Sequence, residues 1–263
     1  MVKKLTDYTV IPNLIYKQDI KKKLISMGIR KGMVVLLESR GSCKDYLLGG
    51  EQTLIEAIME VVGYEGTIII PTFTPQLLDP SQDDKKISRS LWKDIRKYSS
   101  GFDLKLTMPL KENYLAHQFL RNEGVVRSYH PLYSFAAWGK YAKLICDKHP
   151  LHFGLNEDSP LGKLLEFQGK IILFNQNVDD SVTLLYNLYK NIQLPIRISR
   201  APILVNQQTV WKNMLDVKYH TNHIEQLTSA LQGQNTGQCC NIGDVMLGIY
   251  DAKEIQSLFI SYD

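Results

Sequence analysis

Apolar runs that suit buried strands alternate along the chain with segments whose apolar residues recur at helical spacing. Between Asp19 and Ile29 the apolar residues stand four or five positions apart, which predicts a helix, and the run over 33–37 predicts a buried strand. The next pair repeats this order, with a helix over 52–62 and a strand over 66–71. A strand, a glycine loop, a helix and a second strand predict a right-handed parallel crossover.

The alternation continues after one irregular segment. Residues 74–107 are mostly polar and charged, and they predict an insertion or lid with one short helix near 90–98. Beyond it the pattern predicts helices over 110–121, 140–148, 160–166, 180–191, 220–231 and 252–259, strands over 133–137, 170–174 and 244–250, and a β-hairpin over 202–211 that turns at 206–208. We therefore expect one domain over residues 1–263, a three-layer α/β/α sandwich with a mixed, mainly parallel sheet and a C-terminal β-hairpin and helix extension.

Composition narrows the class of protein. The chain has 263 residues, of which 44% are hydrophobic and 22% charged, and this usage excludes a disordered or collagen-like chain. No apolar run approaches the ~20 residues that cross a bilayer. The lysines near the N-terminus have no apolar stretch behind them, so we expect a cytoplasmic protein without a secretory signal. A net charge of +4 without a basic stripe argues against nucleic acid as a partner.

The cysteines give no sign of a metal site or a disulfide framework. There are four of them, Cys43, Cys146, Cys239 and Cys240. They lack a paired metal-ligand spacing, and His220 with His223 does not complete a tetrahedral set. We expect reduced thiols and no bound metal.

Two segments carry residues that core packing does not require. The first, over 38–45 with Gly49-Gly50, follows the first strand and precedes a helix, where free backbone amides favour phosphate or carboxylate groups. It matches neither a Walker loop nor a dinucleotide fingerprint, and a simple glycine turn explains it equally well. In the second, over 127–131, Arg127 and His130 suit an anionic ligand, but the same residues also suit a helix end bonded to a neighbouring loop.

The order of these segments resembles the aminoglycoside 3-N-acetyltransferase family over roughly residues 17–262. The pieces that carry the resemblance are Gly32–Ser39, Gly49-Gly50, Gly66–Thr72, Arg127–Gly139, His149–Gly154, Asp158–Leu164 and Arg200–Pro202. The resemblance implies an α/β/α fold that binds acetyl-CoA and moves its acetyl group onto an amine of an amino-sugar antibiotic or related small molecule. It also implies that acetyl-CoA is bound by Ser39, Ser42, Gly49, Gly50, Thr72, Arg127 and Ser128.

The chain departs from this family at the residues that remove the amine proton. In such enzymes a histidine and a glutamate three residues apart, on the helix after the fourth core strand, help to deprotonate the amine. Counted back from Arg200-Ala201-Pro202 without a gap, these positions fall on Leu185 and Leu188. With one residue inserted near Asp179-Asp180 they fall on Tyr186 and Tyr189. Leucine takes no proton, and tyrosine with an ordinary pKa near 10 is a poor base at neutral pH.

The first loop departs from the family as well. Glu38-Ser39-Arg40 stands where the family usually has His-Ser-Ser. The small apolar residues that receive the pantetheine arm of the cofactor are replaced by Cys43, Lys44 and Asp45. The framework of the family is therefore kept better than its catalytic residues.

Three functions remain open on the sequence alone. The first is an acetyl-CoA-dependent N-acetyltransferase of an amino sugar, with His130, Glu38 or His117 in place of the missing base. The second is a homologue that binds a ligand or a partner without acetyl transfer. The third is an enzyme for a different acyl donor with Cys43 as nucleophile. We expect a small-molecule amine and CoA as partners, not nucleic acid or a membrane, and leave a homodimer open.

Overall fold

A seven-stranded sheet between two layers of helices forms the body of the molecule, as seen in a computed structural model that describes residues 14–82, 87–190, 194–231 and 236–257. The strands are β1 (Val34–Ser39), β2 (Thr67–Pro71), β3 (Val126–Arg127), β4 (Phe135–Gly139), β5 (Lys170–Phe174), β6 (Ile196–Val205), β7 (Gln208–Val217), β8 (Gln238–Ile242) and β9 (Val245–Asp251). The helices are α1 (Lys17–Ser26), α2 (Gly50–Val62), α3 (Trp92–Tyr98), α4 (Tyr114–Phe119), α5 (Ala142–Cys146), α6 (Pro160–Glu166), α7 (Thr183–Lys190), α8 (Thr221–Leu231) and α9 (Ala252–Ser257).

The sheet has the strand order β3-β4-β2-β1-β5-β9-β8. Its centre is parallel, because β1 pairs with β2 on one side and with β5 on the other, so that Val35 lies between Ile68 and Lys170. The remaining ladders of this sheet are antiparallel. The α/β fold and the mixed sheet are confirmed, but the expectation of a mainly parallel sheet was wrong: only the three strands read as continuous apolar runs pair in parallel.

Each face of the sheet is covered by its own apolar core. One core packs α1, α2 and α4 against the sheet, and the other packs α5, α6, α7 and α9. The apolar positions of α2 recur three and four residues apart, so Leu54, Ile58 and Val62 are fully buried. The helix begins after a sharp turn in which Gly49 and Gly50 both have positive φ, at 86° and 61°. This arrangement confirms the three-layer sandwich.

The insertion predicted over 74–107 packs on the C-terminal hairpin of β6 and β7. Phe102 forms an isolated bridge with Ile203 on the hairpin, and the side chain of Asp79 pairs with Arg96 of α3 and with Arg200 of β6. Asp79 is only 1% exposed. The insertion and the hairpin are thus joined by polar and backbone contacts, and its action as a lid stays a prediction.

The largest differences from the predicted elements lie at the edges and in the hairpin. The hairpin runs over 196–217, about twice the predicted span, and its two-residue turn places Asn206 and Gln207 at positive φ. The sequence pattern missed β3, which has two residues, and β8, whose residues are largely exposed. The predicted end of the last helix, over 258–259, lies outside the described residues. Across the described ranges, no helix is long and apolar enough to span a membrane.

Candidate functional site

Polar and aromatic side chains gather at the edge where the parallel strands end. Glu38 is near the end of β1, Phe73 follows β2, and Tyr133 precedes β4, whose first residue pairs with the last residue of β2. The rings of Phe73 and Tyr133 meet edge to face with their centroids 5.5 Å apart. We call the group at this edge the carboxyl-edge cluster, defined as Glu38, Phe73, Tyr133, Leu185, Tyr189 and Asp216. Ligands of open α/β sheets bind at such an edge.

Glu38 is a buried carboxyl group that is bonded only to neutral donors. It is 6% exposed and accepts hydrogen bonds from the Ser181 hydroxyl at 2.6 Å, the Val182 backbone N–H at 3.1 Å and the Gln176 amide at 3.4 Å. Among the described residues no lysine or arginine is bonded to it. Burial raises the pKa of Glu38 to about 7, because these hydrogen bonds offset only part of the lost hydration and Asp180 adds a like charge.

Asp216 of β7 is a second buried carboxylate, bonded to Tyr189 of α7. It is 2% exposed and accepts from the Tyr133 hydroxyl at 2.8 Å and from the Tyr189 hydroxyl. Arg197 forks onto it with Nη2 at 2.9 Å and Nε at 3.2 Å, and Ser199 donates at 3.0 Å. Burial, followed by the nearby Asp216 charge, raises the pKa of Tyr133 well above its ordinary value, so its hydroxyl keeps its proton.

His130 supports the turn that presents Tyr133. Its Nδ1 accepts from the backbone N–H groups of Leu132 at 3.1 Å and Tyr133 at 2.9 Å, and its ring stacks on Tyr133 with centroids 5.2 Å apart. The residue is 1% exposed, and burial, together with the nearby His149, holds the pKa of His130 well below its ordinary value. Since Nδ1 accepts these bonds, the neutral ring carries its proton on Nε2, and the expected action of His130 as a proton acceptor stays a prediction. Nε2 faces Gly154, where an added Cβ would lie 2.5 Å from it.

His149 completes this buried polar group. Its Nε2 donates to the Gly154 carbonyl at 2.6 Å, so in the neutral ring Nδ1 accepts from the Ser128 hydroxyl at 2.8 Å. Burial lowers the pKa of His149 to about 4, which keeps the ring neutral at physiological pH. The Ser128 oxygen also accepts from the Phe135 backbone N–H at 2.8 Å. Ser128, one of the predicted cofactor residues, is therefore bonded within the protein.

Arg127 and Thr72, two further predicted cofactor residues, hold the insertion against the sheet. Arg127 is 8% exposed and donates to the Thr72 carbonyl at 2.9 Å and to the Thr107 carbonyl at 2.5 Å. Its guanidinium also lies 4.9 Å from the ring centre of Phe102. Burial lowers the pKa of Arg127 to about 10, and no carboxylate bonds to it among the described residues. Contact of these side chains with a cofactor stays a prediction.

The first loop places the other predicted cofactor residues beside Glu38. Ser39 is partly exposed, with its hydroxyl 3.5 Å from the Cys43 sulfur. Ser42 donates to the Glu51 carboxylate at 3.1 Å, which also accepts the Cys43 backbone N–H at 2.9 Å. The loop then reaches the left-handed pair before α2, where a Cβ on Gly49 would lie 2.3 Å from the Thr53 hydroxyl. The turn thus requires glycine for its geometry, whatever it binds.

The four positions considered on α7 face different surroundings. Leu188 is 3% exposed, and Leu185 packs on the core of that face. Tyr186 lines a shallow crevice between α6, α7 and α9, whereas the Tyr189 hydroxyl donates to Asp216. Of the four, only Tyr189 brings a polar atom to the carboxyl-edge cluster.

Sequence reasoning missed Asp216 and its partner Arg197. The strand β6 exposes Ile196 and Ile198, at 61% and 54%, and turns the alternate residues Arg197 and Ser199 inward. This inverted alternation, apolar outside and charged inside, is the signal that could have found the site. Across the described ranges, no three acidic, histidine or cysteine side chains come together as metal ligands.

Cys43, the candidate nucleophile of the third hypothesis, is fully buried. Its sulfur lies 3.6 Å from the Tyr46 hydroxyl, and burial raises the pKa of the thiol. A raised pKa lowers the thiolate fraction at neutral pH. The environment therefore opposes nucleophilic catalysis by this cysteine.

Comparison with known proteins gives one consistent result. A family model described as aminoglycoside 3-N-acetyltransferase matches residues 39–262. An aminoglycoside N(3)-acetyltransferase IX of Micromonospora chalcea is 33% identical over 205 residues, which cover 75% of this chain and 71% of that protein.

A prophage-derived aminoglycoside N(3')-acetyltransferase-like protein of Bacillus subtilis, YokD, is similar over nearly its whole length. It is 30% identical over 255 residues, covering 96% of this chain and 93% of that protein. Its crystal structure superposes with a TM-score of 0.85 over 94% of this chain and 97% of that one, at 29% identity. The structure of AAC-IIIb, solved as a binary complex with CoASH, shares the fold with a TM-score of 0.80 at 21% identity over 95% and 96% of the two chains.

Proposed function

Because the chain belongs to the aminoglycoside 3-N-acetyltransferase family, we propose that it transfers an acetyl group from acetyl-CoA to an amine of an aminoglycoside or a related amino sugar. The observation that carries this proposal is the extent of the family match. It spans residues 39–262, which include every residue of the carboxyl-edge cluster except Glu38. Glu38 is the residue immediately before the match.

The first loop suits a negatively charged nucleotide such as CoA. Arg40 and Lys44 are exposed on this loop, and Gly49-Gly50 leads into the N-terminus of the 13-residue helix α2. Backbone N–H groups at a helix N-terminus and cationic side chains both favour phosphate. The Glu51 carboxylate already accepts the Cys43 N–H, so we expect the anion on the exposed side of the loop. When bound there, acetyl-CoA supplies an acetyl group activated as a thioester.

Glu38 has the properties of the base that this reaction requires. It takes the proton that the amine nitrogen loses as the nitrogen bonds to the acetyl carbon and the thioester C–S bond breaks. The sulfur leaves as the CoA thiolate and is protonated from solvent. A general base works best with a pKa near the working pH, and the pKa of Glu38 is about 7. Its place at the end of β1, one residue before Ser39, sets it beside the expected cofactor loop.

Neighbouring groups hold the amine acceptor rather than take its proton. The aromatic rings of Phe73 and Tyr133 form a wall at the end of β2, and His130 fixes that wall through the Tyr133 backbone. Since acetyl-CoA is an intracellular metabolite, we expect the protein to act in the cytoplasm.

The test is acetyl transfer by the purified full chain. Release of the CoA thiol is followed with acetyl-CoA and a panel of aminoglycosides, with glucosamine as a simple amino sugar. We expect turnover above the spontaneous rate and a kcat that rises with pH through a limb near pH 7, as Glu38 ionises. No transfer to any amine at millimolar concentration, with acetyl-CoA binding intact by calorimetry, would leave the homologue that binds without catalysis as the function.

A further inference from the structure

The Asp216 carboxylate controls the direction in which two tyrosine hydroxyls offer their protons. A carboxylate accepts hydrogen bonds and donates none, so Tyr133 and Tyr189 must each direct their hydroxyl proton at Asp216. The Arg197 guanidinium pairs with the same carboxylate at 2.9 Å. Each hydroxyl therefore presents only oxygen lone pairs to any other group.

The Tyr133 and Tyr189 oxygens differ in the hydrogen bonds that they already accept. The Tyr133 oxygen lies 3.4 Å from Arg197 Nη2, which donates to it. Within the described ranges, no further donor is bonded to the Tyr189 oxygen. Tyr189 is also partly exposed, and it packs on the same core as Phe73 and Tyr133. The Tyr189 oxygen therefore has lone pairs that can accept an N–H or O–H of a ligand bound at this edge.

The group formed by Asp216, Arg197 and Tyr189 has no net charge. A ligand is therefore recognised by its N–H or O–H donor and does not need a positive charge. The charges of Asp216 and Arg197 cancel each other, and burial, followed by the neighbouring Tyr133 and Asp216, raises the pKa of Tyr189 far above its ordinary value. The cluster thus offers a neutral phenol oxygen. It suits an uncharged amine, which is the form that attacks a thioester, as well as an ammonium.

We propose that the Tyr189 oxygen, with its proton held by Asp216, accepts an N–H of the acceptor amine and so selects amino sugars over sugars that lack the amine. This rests on the proposed acetyl transfer for its choice of substrate. Tyr189 is then a specificity-determining residue, and Asp216 is the positioning residue that sets its polarity.

The experiment compares binding of two ligands to matched variants. Tyr189→Phe removes the oxygen and keeps the ring. Tyr129→Phe is the control, because Tyr129 is also partly buried and its hydroxyl also donates to the hairpin, at 2.8 Å to the Leu204 carbonyl. Calorimetry measures the Kd of the best amino sugar and of its deamino analogue, and steady-state assays measure KM for the amine and for acetyl-CoA.

We expect Tyr189→Phe to weaken binding of the amine about fivefold to tenfold, the range of one neutral hydrogen bond. Its affinity for the deamino analogue and its KM for acetyl-CoA should match the parent, and Tyr129→Phe should change none of these. Equal losses for amine and deamino analogue, or no loss at all, would overturn the proposal.

Asp216→Asn supplies an independent check. The asparagine amide can donate to the tyrosine oxygens, so the Tyr189 hydroxyl no longer has to direct its proton at residue 216. We therefore expect this variant to discriminate less between the amine and its deamino analogue. If this variant does not fold, Tyr189→Phe still decides the matter. If the parent binds the amino sugar but transfers no acetyl group, the proposed function fails while the binding comparison still tests Tyr189. If the parent binds no amino sugar, both fail.

Discussion

Glu38 and Asp79 are two carboxyl groups of nearly equal burial, at 6% and 1% exposure, in opposite electrostatic surroundings. Glu38 has three neutral donors, whereas Asp79 is forked by Arg96 at 2.7 and 2.9 Å and approached by Arg200 at 3.5 Å. Burial raises the pKa of Glu38 to about 7. Burial acts on Asp79 in the same sense, but hydrogen bonds from Arg96 and Ser81 outweigh it and hold its pKa well below the ordinary value.

This difference separates a group suited to chemistry from a group suited to structure. A carboxyl group that titrates near neutral pH can both take and return a proton during turnover. A carboxylate that stays charged under all physiological conditions can only hold its partners. Asp79 pairs with Arg96 inside the insertion and, at 3.5 Å, with Arg200 of the hairpin. The four predictions that follow test this contrast, beginning with the largest effect.

Glu38→Gln should lower kcat about 10²- to 10⁴-fold, the usual contribution of a general base. Glutamine can keep the bond from Val182 and fills nearly the same volume, so the fold should persist. Steady-state thiol release measures the loss, and Asp79→Asn, assayed well below its unfolding temperature, serves as the buried-carboxylate control. Comparable losses of kcat in Glu38→Gln and Asp79→Asn would contradict the separate roles of these two carboxyl groups.

The parent should lose stability as the pH rises through 7. A folded-state pKa of about 7 against an ordinary value of 4.5 means that Glu38 stabilises the fold below pH 4.5 and that this contribution is gone above pH 7. The shift corresponds to about 3 kcal/mol. Urea unfolding at pH 5 and pH 8 measures it as a difference between the parent and Glu38→Gln. A parallel pH dependence in both proteins would assign the effect to other groups.

Asp79→Asn should destabilise the protein by about 2 kcal/mol, less than the roughly 3–5 kcal/mol for breaking a fully buried ion pair, because Arg96 is partly exposed and regains water. Thermal unfolding checks this. Arg200→Gln, which removes only the longer contact, is the matched variant and should cost less than about 1 kcal/mol. An Asp79→Asn protein as stable as the parent would show that the insertion does not depend on this pair.

Asp180→Asn should produce the smallest change, a downward shift of the pH limb by a few tenths of a unit. Asp180 adds a like charge that raises the pKa of Glu38, and its removal also frees the exposed Arg40 from their 2.6 Å ion pair. The full pH profile of kcat detects the shift. If the pH at which kcat rises moved upward instead, this rise would not reflect the ionisation of Glu38.

The core and the edge of the molecule differ in how far the sequence determines them. The buried runs that became β1, β2 and β5 were predicted, because burial on both faces leaves a continuous apolar signature. β8 was not predicted, because an edge strand keeps one side in water and tolerates polar residues such as Gln238 and Asn241. The antiparallel pairing of β4 and β9 could not be assigned, since these strands are mostly buried as well.

The site was predictable only in part, and for a related reason. Glu38 could be selected as a site residue because it stands at the end of an apolar run. The loop that follows it in the sequence already indicates that it lies at the edge of the sheet where the strands end. Asp216 could not, since its importance comes from Tyr133 and Tyr189, which are 83 and 27 residues away along the chain. Hydrogen-bond partners at that separation are set by tertiary packing.

The parallel centre of the sheet also has a consequence for biosynthesis. The first strand, β1, obtains β2 as a neighbour early, but its other neighbour, β5, ends at Phe174, about 135 residues after β1. At translation rates of about 5–20 residues per second, roughly 7 to 27 s separate the emergence of the two strands from the ribosome. During that interval one edge of an apolar strand lacks its partner, and an unpaired strand edge is a site at which nascent chains aggregate.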